Sequence, residues 1–173
     1  KNIELMIEVL RELKEKKPNI HLVLMGVGYH APNLEQVKSL ISKYDLDVNI
    51  TLLEWTKRED IFNIIKNSKL YISTARYEGL PYSVIEALAL KKACVVTDAD
   101  GNRDLIRDNK NGYVIKNENS AAFANSVLYL LNNSDKREQF EAYSFKLFNE
   151  HFNIKNTIHK LEEIYMAEVT GLS

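Results

Sequence analysis

Two glutamates, Glu78 and Glu86, stand eight positions apart in the stretch YEGLPYSVIEAL. Between them lie Gly79, Leu80, Pro81, Tyr82 and Ser83. Proline suits the first position of a helix, so the pattern predicts a helix opening at Pro81. The amides from Gly79 to Ser83 then lack partners within the helix. With the helix dipole they make a binding place for phosphate. Gly79 lets the backbone approach a ligand closely. Glu78 sits just before this place, and Glu86 lies about five residues into the helix, roughly 7 Å along its axis. Carboxylates accept hydroxyl hydrogen bonds well, so each suits a polyol. A diphosphate at the helix end would have a sugar beside Glu78 and a ribose beside Glu86. A plainer reading uses the same residues: Ser83-Val84-Ile85-Glu86 is a capping box, in which Glu86 bonds the Ser83 backbone. Spacing alone leaves both open.

The elements that must position these residues alternate along the chain. Ile3, Met6, Ile7, Leu10 and Leu13 make a helical stripe that Pro18-Asn19 stops. A short apolar run, Ile20 to Met25, leads to Gly26-Val27-Gly28. A helix with Leu34, Val37, Leu40, Ile41 and Tyr44 follows, then a strand from Val48 to Leu53. Next come a helix over 58–67, a strand from Lys69 to Thr74, the helix of the opening stretch, and a strand from Ala93 to Thr97. Asn102 to Asp108 reads as a short helix, Asn111-Gly112 as a turn, and Tyr113 to Ile115 as a strand. Three helices, over about 119–132, 135–150 and 155–168, close the chain. Nearly unbroken apolar strands alternating with helices predict a doubly wound, Rossmann-like α/β fold. Its parallel sheet, with about five strands visible, is covered by helices on both faces. Lys1-Asn2 enters a helix with no initiator Met, so the expectation is a truncated first strand ahead of Lys1 and a chain cut from a longer protein.

In an open parallel sheet, ligands bind outside the carboxyl ends of the strands. Four loops leave those ends: Gly26 to Pro32, Glu54 to Lys57, Ala75 to Leu80 and Asp98 to Asn102. Gly26-Val27-Gly28-Tyr29-His30-Ala31 matches the loose dinucleotide fingerprint. Its acids, Asp45 and Asp47, stand before the next strand and not at its end, where a ribose-binding acid belongs. A tight turn needing a positive φ at glycine, or a loop close to some other nucleotide, also fits Gly26 and Gly28.

Bulk properties narrow the class. The 173 residues suit one domain, 45% apolar and 27% charged, with a net charge of −1. Such a balance argues against a nucleic-acid surface. Cys94 stands alone in an apolar run, so it reads as core and a reducing cytoplasm is expected. No run approaches the about 18 apolar residues that a membrane helix needs. His21, His30, His151 and His159 show no ligand spacing, so no metal and no cofactor is expected.

The run Ser73-Thr74-Ala75-Arg76-Tyr77-Glu78-Gly79-Leu80-Pro81-Tyr82-Ser83-Val84-Ile85-Glu86-Ala87-Leu88-Ala89 resembles the E-x7-E region of the retaining glycosyltransferases of family 4, also called group 1, which have the GT-B fold. The likeness extends to Leu22–Gly28, to Lys92–Asp98, to Gly101, to Asn111–Ile115 and to the tail from Phe152 to Tyr165. It implies the C-terminal, donor-binding half of a two-domain enzyme. Glu78 would contact the donor sugar at the reacting carbon, and Glu86 would hold the ribose hydroxyls. Amides near Gly79 and Leu80 would bind the diphosphate, and Lys1 would grip its phosphates. Glu54, Trp55 and Thr56 would bound the base. The implied partners are a nucleotide sugar, most simply a UDP-sugar, a glycan or lipid-linked acceptor, and an N-terminal acceptor domain of the same chain. The helix over 151–169 would pack toward that domain, and the piece alone would be monomeric and inactive. Glu54 stands where the family commonly has Gly, and Leu80-Pro81-Tyr82 varies its usual Phe-Gly-Leu. Ala99 to Asp104 replaces its Gly-Gly…Glu run. A non-catalytic sugar-nucleotide-binding module and a GT-B-like epimerase remain alternatives.

Overall fold

Helices and strands alternate along the computed structural model, which describes residues 1–27, 34–54 and 56–170. The order is α1 (Ile3–Lys16), β1 (Leu22–Met25), α2 (Leu34–Lys43), β2 (Ile50–Leu53), α3 (Arg58–Asn67), β3 (Tyr71–Ser73), α4 (Tyr82–Ala89) and β4 (Cys94–Thr97). It continues with α5 (Asp100–Leu105), β5 (Gly112–Ile115), α6 (Ser120–Asn132), α7 (Ser134–His151) and α8 (Ile154–Thr170). Every strand pairing is parallel.

The predicted single sheet is two ladders. β1 pairs with β2, and β3, β4 and β5 form a second ladder in that order. Both parts lie against α1. Ile7 and Leu10 of α1 share a core with Leu24 of β1, and Ile72 of β3 packs against the same cluster. The inner edges of β1 and β3 carry no ladder between them among the described residues. An apolar strand reports that its faces are buried; it does not say which strand lies beside it.

β4 shows how two covered faces arise from one strand. Side chains alternate across a sheet. Ala93 and Val95 therefore join α1 and α6 through Leu5, Val9, Phe123 and Val127. Cys94 and Val96 point the other way, to Val84 and Leu88 of α4, Leu105 of α5 and Leu147 of α7. Burial pushes the Cys94 thiol far up, so it stays protonated as core filler.

Several boundaries differ from the sequence pattern. Residues 47–49 form a short 3-10 turn, and β2 begins at Ile50 and not at Val48, which is exposed. The turn before β5 falls at 109–111, and Gly112 is already in the strand. There a Cβ would meet the Cys94 carbonyl and stand 2.9 Å from Ile106 Cγ2, so only glycine lets β5 lie this close. Lys91 takes a left-handed φ of 56° at the end of α4, where the sequence offers no glycine.

Lys92 is buried and holds α3 in place. Its ammonium donates to the carbonyls of Lys66 and Ser68, each at 2.8 Å, at the end of α3. Burial pushes its pKa down, which makes those two carbonyls necessary partners for the charge. Lys92→Met should keep the stem's packing but leave both carbonyls unmet. The expected loss is about 1–3 kcal/mol, read as a lower midpoint in chemical denaturation; an unchanged midpoint would show that water takes over both carbonyls.

Candidate functional site

Among the described residues, the chain leaving β1, β3 and β4 is tied to a neighbour. After β1, Gly26 adopts a φ of +77°, which a side chain would strain, and its amide donates to the Leu53 carbonyl at 3.2 Å. A Cβ on Gly26 would stand 3.8 Å from the Lys1 ammonium, so Lys1 lies directly over this turn. Lys1 is held there from β3. The buried Thr74 hydroxyl, just past the strand, contacts the Lys1 carbonyl at 3.2 Å and donates to the Asn2 carbonyl at 2.9 Å. Asn2 caps α1 in a left-handed conformation, its side chain accepting from the Leu5 amide. A cleft of about 400 Å³ opens here, lined among others by Lys1, Gly26, Val27, Gln36 and Arg76.

The loop after β3 is clamped by the loop after β4. The Gly101 amide donates to the Glu78 carbonyl at 2.9 Å. Thr97 donates to the Ala75 carbonyl at 2.5 Å, and Asn102 in turn donates to the Thr97 carbonyl at 3.0 Å. A Cβ on Gly101 would collide with the Gly79 carbonyl oxygen and stand 2.8 Å from Pro81 Cδ. At Gly79 a Cβ would meet nothing within 4 Å. One side of the turn is packed backbone to backbone, and the other is open. The open side is a cleft of about 480 Å³ lined by Arg76, Tyr77, Glu78, Gly79, Asp98, Ala99 and Asp100.

α4 starts one residue later than predicted, at Tyr82, with the buried Pro81 as its N-cap. No side chain caps it. The amides of Val84 and Ile85 donate to the Pro81 carbonyl. Those of Gly79, Leu80, Tyr82 and Ser83 have no hydrogen bond among the described residues. The helix therefore presents unpaired donors at its positive end.

The capping box does not form. Ser83 lies inside the first turn of α4 and not at its N-cap, and its amide makes no bond with Glu86. Burial pushes the half-buried Tyr71 hydroxyl of β3 up to about 12, with nearby Ser83 opposing the shift and Cys94, Glu86 and Glu78 adding to it. Glu86 pairs elsewhere: its Oε1 accepts from Arg58 Nη2 at 2.7 Å. The Glu78 side chain has no hydrogen-bond or ion-pair partner among the described residues. Leu80 and Tyr82 are exposed beside it.

Of the remaining predicted residues, Glu54 and Thr56 follow β2, with the Thr56 hydroxyl donating to the Glu54 carbonyl at 3.1 Å. Gly28 and Trp55 lie outside the described residues. Arg76 is taken up locally, in a bidentate pair with Glu118 at 2.6 and 2.9 Å that Asn2 joins. That pairing holds the Glu118 carboxyl below its usual range. Arg103 pairs with Asp98 at 2.9 Å and with Asp100. No group of three or more His, Cys, Asp or Glu is placed to hold a metal among the described residues. None of the described helices is long and apolar enough to cross a membrane.

Thr74, Arg58 and Thr97 escaped the sequence reading because each works through a partner more than twenty residues away. Gly101 had a signal, a glycine at a strand's carboxyl end, but nothing local to say what it packs on.

Residues 1–147 match the family described as glycosyl transferases group 1. The chain belongs to this family. Among curated proteins it is 33% identical over 165 residues to the poly(ribitol-phosphate) alpha-N-acetylglucosaminyltransferase of Staphylococcus aureus, covering 92% of this chain and 32% of that protein. Among solved structures it superposes with a TM-score of 0.83 and 28% identity on a mutant of S. aureus TarM crystallised with fondaparinux, alpha-GlcNAc-glycerol and UDP. That match covers 95% of this chain and 33% of the other. It also superposes on the C-terminal domain of a group 1 family protein, LpcC, from Francisella tularensis, with a TM-score of 0.79 and 23% identity. There it covers 89% of this chain and 80% of the other. The group 1 chain thus has the Rossmann-like α/β fold of GT-B glycosyltransferases, and it spans about a third of the S. aureus relatives' length.

Proposed function

We propose that this chain is the donor-binding domain of a retaining hexosyltransferase that takes a UDP-sugar and delivers the sugar to a glycan or lipid-linked acceptor. The observation that carries it is the opening of α4, where unpaired amides from Gly79 to Ser83 stand between two carboxylates, Glu78 and Glu86. Transfer leaves negative charge on the departing diphosphate and positive charge on the sugar ring. The amides and the helix dipole meet the first, with Lys1 from the same rim. Glu78 meets the second or binds the ring hydroxyls, and Glu86 binds the ribose. Glu54 and Thr56, after β2, face the base in this reading. No step calls for a metal. UDP is chosen because the TarM structure holds it.

The acceptor-binding domain belongs, in this reading, to the same full-length protein. The apolar face of α8 supports that: Ile154, Ile158, Leu161, Ile164 and Tyr165 are all exposed. A face this apolar suits a partner surface.

Calorimetric titration of the full-length protein with UDP and a panel of UDP-sugars tests the reading. Glu86→Ala should weaken UDP by about tenfold, the worth of a charged hydrogen bond. A folded protein that binds neither UDP nor any UDP-sugar would overturn it.

A further inference from the structure

Glu86 is not free to turn. Arg58, the first residue of α3, reaches it from just beyond the loop after β2 and donates to Oε1 at 2.7 Å. The Arg58 guanidinium is itself fixed a second time, lying 5.1 Å from the centre of the Phe62 ring one turn further along α3. The other carboxylate oxygen, Oε2, has no hydrogen-bond partner among the described residues. The Glu86 side chain is 26% exposed and that of Arg58 75% exposed. A pair so open to water adds little to folding.

We propose that Arg58 is a positioning residue for nucleotide recognition: by occupying Oε1 it holds the Glu86 carboxylate in one orientation, with Oε2 available to a ribose hydroxyl. This rests on Glu86 as the ribose contact. A glutamate loses side-chain freedom when it takes up a ligand. A carboxylate already docked on Arg58 has lost that freedom beforehand, so more of the hydroxyl bond appears as affinity. The pair also ties the start of α3 to α4. Arg58 could alternatively act as a plain cation on the diphosphate, and the two roles separate by which part of the ligand feels its loss.

Affinities for UDP and 2′,3′-dideoxy-UDP should be compared in the full-length protein and in Arg58→Ala, Arg58→Lys and Glu86→Ala. The wild type should prefer UDP by about tenfold, the worth of one hydrogen bond to a charged group. Arg58→Ala should lose most of that preference, leave dideoxy-UDP binding unchanged and melt at the wild-type temperature. Arg58→Lys should recover part of the preference. An equal loss for both nucleotides would assign Arg58 to the phosphates and overturn the inference. An Arg58→Ala preference equal to the wild type's, with Glu86→Ala losing its own, would overturn the inference alone. If Glu86→Ala keeps the preference, the ribose role of Glu86 falls and the inference falls with it.

Discussion

Gly101→Ala is expected to abolish most nucleotide binding without touching any proposed ligand contact. A methyl group at Gly101 would collide with the Gly79 carbonyl oxygen, approach the Gly79 carbonyl carbon to 2.7 Å and Pro81 Cδ to 2.8 Å. These are backbone and ring atoms, so no side chain can swing aside. Either α5 or the 78–81 turn must move, and the turn is the weaker party, since its other face is open cleft. Overpacking of this kind costs about 1–3 kcal/mol. The move also breaks the bond from the Gly101 amide to the Glu78 carbonyl. The amides of Gly79 and Leu80 would then point away from the positions a diphosphate needs, so UDP affinity should fall by at least about tenfold. Gly79→Ala is the matching control: its methyl meets nothing within 4 Å, so the melting temperature should hold and any affinity lost is lost at the ligand. Wild-type UDP affinity in Gly101→Ala, by calorimetry, would show that the clamp does not set the site.

How far the sequence reaches is clearest around this clamp. The elements were legible, because each strand's apolar run and each helix's stripe are local signals. The order of loops at the sheet's carboxyl edge followed from that alternation alone. What was not legible is what ties the loops together. Ser83-Val84-Ile85-Glu86 has the spacing of a capping box, yet Ser83 sits inside the first turn of α4 and Glu86 goes to Arg58. A long-range partner took the Glu86 carboxylate, and spacing carries no record of it. The split into two ladders escaped for the same reason, since strand pairing is a relation between segments and not a property of either. Lys1 was named only through family resemblance. The structure places Lys1, with Thr74 against its backbone and its ammonium over Gly26.

Glu78→Ala should lower the transfer rate by about 10²- to 10³-fold, the range for losing one preorganised electrostatic contact to a transition state. Its UDP affinity should stay within about twofold of wild type, because UDP carries no donor sugar. The backbone role of Glu78 survives every substitution, since it is the carbonyl that accepts from Gly101. The carboxylate itself has no partner among the described residues, so its removal leaves no buried group unmet and the melting temperature should not move. That combination separates Glu78 from Glu86, whose loss should appear in binding. The chemistry of the role is then decided by glutamine. If Glu78 binds a ring hydroxyl, Glu78→Gln keeps an acceptor of the same reach and should recover about tenfold of the loss. If Glu78 were the attacking nucleophile, glutamine would be as inactive as alanine. The hydrogen-bonding role is the one expected here, because Glu78 sits on a turn that borders an open cleft with room for a sugar hydroxyl. Steady-state kcat for the full-length enzyme with alanine and with glutamine, measured on one donor, reads the difference directly, and an alanine variant with wild-type kcat would remove Glu78 from the reaction.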